Sequence, residues 1–73
     1  MDKQTIAELI ELGLPGSQVS VSGDDGRHFH ASIQYDGFVG KTKVQQHQMV
    51  YKTLGDHMRE AIHALSIETS TGE

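Results

Sequence analysis

FVGKTKVQQHQMVY, residues 38–51, is the stretch from which the architecture can be read. Phe38 and Gly40 predict a turn, and Lys41 and Lys43 the opening of a helix. Val44, His47, Tyr51, Leu54 and Met58 then fall at three- and four-residue steps on one helical face. A face of that kind needs a sheet to lie on.

Upstream, Thr5-Ile6-Ala7-Glu8 fits a capping box. Ile6, Leu9 and Ile10 make an apolar stripe behind it, and Gly13 and Pro15 stop the helix. From Gln18 to Ser22 the pattern alternates, with Val19 and Val21 on one side. The run from Gly23 to Gly26 supplies a turn. In the return strand Phe29, Ala31, Ile33 and Tyr35 share one face, while His28, His30, Ser32 and Gln34 share the other.

Downstream, the helix is expected to break between Thr53 and Gly55, since glycine costs about 1 kcal/mol in a helix interior. A second short helix would carry Met58 and Ala61, a last strand would run from Ile62 to Thr69, and Ser70 to Glu73 would be a frayed tail. The order α-β-β-α-α-β gives an α+β fold, a two-layer sandwich whose helices cover one face of a three-stranded mixed sheet. A helical crossover before the last strand makes that strand parallel to its predecessor.

Seventy-three residues make a single domain spanning 1–73, too small for a large internal cavity, because only roughly 60% of the unfolded chain's surface is buried at this size. With no cysteine there is neither a disulfide framework nor a thiolate of the chain's own, so any metal is held by His, Asp or Glu or by a partner's thiols. No apolar run is long enough to span a bilayer and the N-terminus is acidic and amphipathic, so the expectation is a soluble cytoplasmic protein. The formal net charge of −4 weakens long-range attraction to phosphate. Lys41, Lys43 and Lys52 are the candidate basic residues of the middle segment, and their simplest use is to solvate the outer side of a helix.

An enzyme would need a nucleophile with its base, a carboxylate pair in a cleft or a phosphate loop. None is present, and the chain reads as non-catalytic. By spacing alone His63, on the alternation face of Leu65 and Ile67, is a histidine partly buried at a strand end. His28 and His30 form an H-x-H that can clamp a divalent metal, or are two exposed strand histidines. His47 reads as a packing residue. Gly37-Phe-Val-Gly40 matches the G-x-x-G of KH domains in letters, but it precedes the first helix of the pair instead of joining the two.

F-x-G-K-x-x-V-x-x-H-x-x-V-Y, residues 38–51, followed by I-H-A-L at 62–65, resembles the BolA family, closest to its short IbaG-like branch. The resemblance covers most of the chain and implies a fold related to the type II KH module. It also implies a monomer that forms a heterodimer with a monothiol glutaredoxin and shares a [2Fe-2S] cluster with it and glutathione, in iron-sulfur trafficking or iron and redox regulation. His63 matches the family's cluster histidine, and His28 occupies the candidate loop position. Neutral imidazole replacing thiolate on one iron is established chemistry. The partner surface would include Gly55, Met58, Ile62, His63 and Ala64. The alternative that the resemblance carries is a DNA-binding regulator acting through the 41–52 helix, with Lys41, Lys43 and Lys52 as its contacts. Many family members read V-x-R-H-R where this chain has Val44-Gln-Gln-His47-Gln48, a loss of two guanidinium groups from that helix. BolA-like chains usually continue past the last strand into a short tail with a threonine and a tryptophan, whereas this sequence ends at Glu73.

Overall fold

A computed structural model describes residues 2–23, 28–58 and 64–72. Its elements are α1 (Lys3–Gly13), β1 (Gln18–Ser22), β2 (Phe29–Gln34), α2 (Lys43–Leu54) and β3 (Leu65–Ser70), with 3-10 turns at Asp36–Phe38 and Gly55–Met58. The sheet order is β1-β2-β3. β2 is central, antiparallel to β1 and parallel to β3. The α+β class and the mixed three-stranded sheet are as the alternation and the helical crossover predict.

Period-2 patterning decides which way β2 faces. Phe29, Ala31 and Ile33 are buried while His30 and Gln34 are exposed. The inward residues meet Ile6 and Ile10 of α1 and Val50 and Leu54 of α2, all fully buried, together with Phe38. Phe38 reaches this core from the 3-10 turn, where Tyr35 meets it edge-on with ring centroids 5.2 Å apart. The helices approach closely because position 13 is glycine: a Cβ there would lie 2.5 Å from Thr53 Cγ2. Gly55 ends α2 at φ 53°, a backbone angle that side-chain-bearing residues avoid.

Several expectations are corrected. The inward face of α2 is Gln46, Val50 and Leu54: of the expected face Leu54 is buried, while Val44, His47 and Tyr51 are not. Val44 is 67% exposed and Tyr51 37%, and His47 is half-buried. The helix turns this way because Gln46, polar by type, has buried partners for its amide. The N-cap of α1 is Asp2, whose carboxylate accepts the Thr5 N–H at 2.8 Å, so the helix starts earlier than the Thr5–Glu8 box implies. The capping box of the chain is at α2 instead. Thr42 Oγ1 accepts from Gln45 N at 3.1 Å, and Gln45 Oε1 accepts from Thr42 N at 3.0 Å.

β3 begins at Leu65 and runs through Ser70, so residue 70 is strand and not frayed tail; Tyr35 N–H donates to its carbonyl at 3.0 Å. The segment after α2 opens as a 3-10 turn at Gly55–Met58, and the rest of the expected second helix lies outside the described residues. Ala61, and the Gly23–Gly26 turn beyond Gly23, lie outside the described residues.

Gln46 joins three parts of the chain. Its Nε2 donates to Lys41 O at 2.9 Å and Phe38 O at 3.4 Å, and its Oε1 accepts from Thr69 Oγ1 at 2.5 Å. Both side chains are buried. Lys43 Nζ donates to the Thr69 carbonyl. A cation at the first position of a helix opposes the helix dipole, and this carbonyl offsets the mismatch.

Two outcomes follow. Thr69→Val leaves Gln46 Oε1 buried without a donor and should cost about 1–3 kcal/mol, read as a lower urea midpoint, while Thr69→Ser should retain more of the stability. The Thr5 N–H holds the Asp2 carboxyl below its ordinary 3.8. Its contribution is therefore present above the ordinary aspartate range and is lost as pH falls through the lowered value. Asp2→Asn, which can still cap, should flatten the acid-side loss of helical circular dichroism, whereas Asp2→Ala should lower helicity at neutral pH as well.

Candidate metal centre and partner surface

One end of the sheet carries the two candidate ligands among the described residues. His28 stands just before β2, and His30 lies two residues on; both are exposed. Sheet register sets His30 opposite Ser66 and Phe29 opposite Leu65. Ala64, half-buried, immediately precedes β3. Ser22, Gly23, His28, Phe29, His30, Ala64 and Ser66 line an open groove of about 350 Å³ at this end.

The parallel pairing of β2 with β3 accounts for this convergence. A hairpin residue and the residues preceding β3 come to the same end only because the two strands start together. Reversing β3 would send His28 and Ala64 to opposite ends.

His63 and Ile62, singled out from the I-H-A-L motif, lie outside the described residues, as does the Met58 side chain. Ala64 and exposed Gly55 are described. Among the described residues no group of three or more His, Cys, Asp or Glu can hold a metal, so His28 and His30 do not make a clamp with a third such donor from that set. His30 Nε2 lies 3.9 Å from Glu68 Oε2 with both side chains exposed, an ion pair of small energetic weight in that setting.

The donor set fits a shared cluster. Imidazole is a competent iron ligand, and a chain without cysteine leaves thiolate positions to whatever binds it. An open groove at a sheet end is the geometry such sharing requires, because an enclosed histidine would admit no second protein.

The family of BolA-like proteins matches residues 14–73. The chain belongs to the BolA-like family. The structure of a BolA protein homologue from Coxiella burnetii superposes with a TM-score of 0.84 at 43% identity, covering 97% of this chain and 91% of that one. SufE-like protein 1, chloroplastic/mitochondrial, of Arabidopsis thaliana is 43% identical over 51 residues, which are 68% of this chain and 14% of that protein. The DNA-binding transcriptional regulator BolA of Escherichia coli K12 is 34% identical over 44 residues, 60% of this chain and 42% of that protein. The BolA-like chain thus spans less than half the length of the curated relatives it matches.

The three lysines named for nucleic acid do not form a patch. Lys43 is exposed, as expected of a lysine on the solvated side of the helix, and its Nζ also donates to the Thr69 carbonyl. Nine residues further along α2, about 13 Å of helix rise, Lys52 lines a surface hollow with Gln48 and Tyr51. Lys41 precedes the helix and lends its carbonyl to Gln46. No helix among the described residues is long and apolar enough to cross a membrane.

Sequence reasoning missed Gln46 and Thr69. Hydrophobic periodicity carries no signal for a buried amide, and Gln46 sits in a run of polar letters. The available hint was that four polar residues in a row, Gln45 to Gln48, sweep about 300° of a helix and cannot all face solvent on one with a buried side.

Proposed function

We propose that this BolA-like chain is a non-catalytic adaptor that binds a monothiol glutaredoxin and co-ligates a [2Fe-2S] cluster with it, in iron-sulfur trafficking or in sensing iron and redox state. The observation that carries the reading is the open groove that sets His28 and His30 beside Ala64, the neighbour in sequence of His63. His63 is the constant ligand and His28 the second, loop-borne one. Thiolates come from the glutaredoxin cysteine and from glutathione. The partner contacts the hairpin end, Ile62 to Ala64, and the turn from Gly55 to Met58.

Anaerobic reconstitution with a monothiol glutaredoxin and glutathione tests this. Wild type should give visible absorption and circular dichroism distinct from glutaredoxin alone. His63→Ala should abolish that difference, and His28→Ala should alter the spectrum while complex formation persists. A mixture whose spectrum is indifferent to His63 would sink the proposal.

A second reading, binding of DNA through α2, is favoured by the solvent-facing group of Gln48, Tyr51 and Lys52 and by the similarity to the DNA-binding transcriptional regulator BolA of Escherichia coli. With the exposed Lys43 engaged by the Thr69 carbonyl, the remaining candidates are Lys41 and Lys52. Salt-dependent affinity for duplex DNA should fall in Lys41→Ala and in Lys52→Ala. The slope of log K against log salt should become shallower by about one for each phosphate no longer neutralised. Equal binding by wild type and the double variant would remove this reading.

A further inference from the structure

The two outer strands of the sheet are not protected alike. Backbone groups of successive strand residues point to opposite sides. Tyr35 N–H donates to Ser70 O, so the odd-numbered residues of β2 turn their backbone groups toward β3, and His30, Ser32 and Gln34 turn theirs toward β1. Their register partners Ser22, Ser20 and Gln18 answer them. Val19 and Val21 therefore direct N–H and C=O outward, along the free edge of β1. On β3 the same alternation turns Thr69 outward. There Lys43 takes its carbonyl, and Glu68 adds a charge to the strand.

Among the described residues β1 has neither safeguard. Gln18-Val-Ser-Val-Ser22 contains no charge and no proline, the residue types that natural edge strands use to prevent pairing. We infer that β1 is the pairing edge for a second copy of this chain, joined antiparallel about a twofold axis through Ser20 to give a continuous six-stranded sheet.

The register is self-complementary. With Ser20 opposite Ser20 of the second copy, Val19 faces Val21 of that copy and Val21 faces its Val19. Both pairs are hydrogen-bonded pairs, so all four outward N–H and C=O groups of the two valines in each copy are satisfied. The valines are half-buried against the core, and the pairing brings them together on the core side of the sheet. Gln18 meets Ser22, polar against polar, on the other face. No like charges meet in the seam, whereas a shift of one residue would set valine against serine.

A five-residue edge buries far less than the roughly 1,200–2,000 Å² of a stable interface. The pair is therefore weak, and the dilute chain is a monomer. The seam involves none of the residues assigned to the cluster, so it stands independently of the glutaredoxin reading.

Sedimentation velocity over a rising concentration series, up to the millimolar range, tests the inference. Wild type should shift toward the dimer. Ser20 is exposed, so Ser20→Lys and Ser20→Glu should keep the wild-type circular dichroism and melting curve. Each alone should stay monomeric because like charges oppose across the axis. An equimolar mixture of the two should dimerise at lower concentration than wild type. A wild type that stays monomeric throughout, single variants that self-associate as wild type does, or a mixture that fails to pair would each overturn it.

Discussion

A buried amide ties this structure together. Gln46 sits where α2, the turn before it and the end of β3 converge, and its side chain bonds to Phe38, Lys41 and Thr69. An unsatisfied polar group at such a place is costly, so the three segments are held to one mutual arrangement. That arrangement sets the rotation of α2: with Gln46 inward, Val50 and Leu54 follow onto the sheet, and Val44 is left to solvent. It also fixes the far end of β3, and through the parallel register it fixes the near end, where Leu65 sits opposite Phe29. The groove beside His28 is thus positioned from the other end of the sheet.

Most of the sheet is legible in the chain. Val19 and Val21, then Phe29, Ala31 and Ile33, alternate with polar residues, and that alternation reports burial on one face directly. The stop at Gly55 is legible for a similar reason, since glycine at a positive φ is a local requirement. The rotation of α2 is not. Val44 and Tyr51 read as inward because they are apolar, but on a helix of a small domain the decision belongs to a hydrogen-bonding residue whose partners lie 5, 8 and 23 positions away. The same limit hides Asp2, a cap whose role depends on one backbone N–H, and hides Lys43, a surface lysine by composition that serves a strand end.

The candidate site is legible in a different manner. His28 and His63 come from resemblance to a family, and spacing alone makes His63 a strand-end histidine. The structure contributes the convergence of the hairpin end with the residue preceding β3, a consequence of parallel pairing that no local pattern contains. The groove at this end and the β1 edge share only Ser22, and the histidines lie outside the seam, so a chain of this size has room for two kinds of contact.

The parallel pairing of β2 with β3 has a kinetic side. Gln34 and Leu65 are separated by all of α2, and closing so long a segment costs chain entropy before the ladder between the strands returns any bond. The hairpin of β1 and β2 and the capped helix α2 are stabilised by near neighbours, while β3 has no local partner. Its docking closes a far longer loop than the hairpin does, and any end-of-sheet geometry that depends on β3, the groove included, requires that closure.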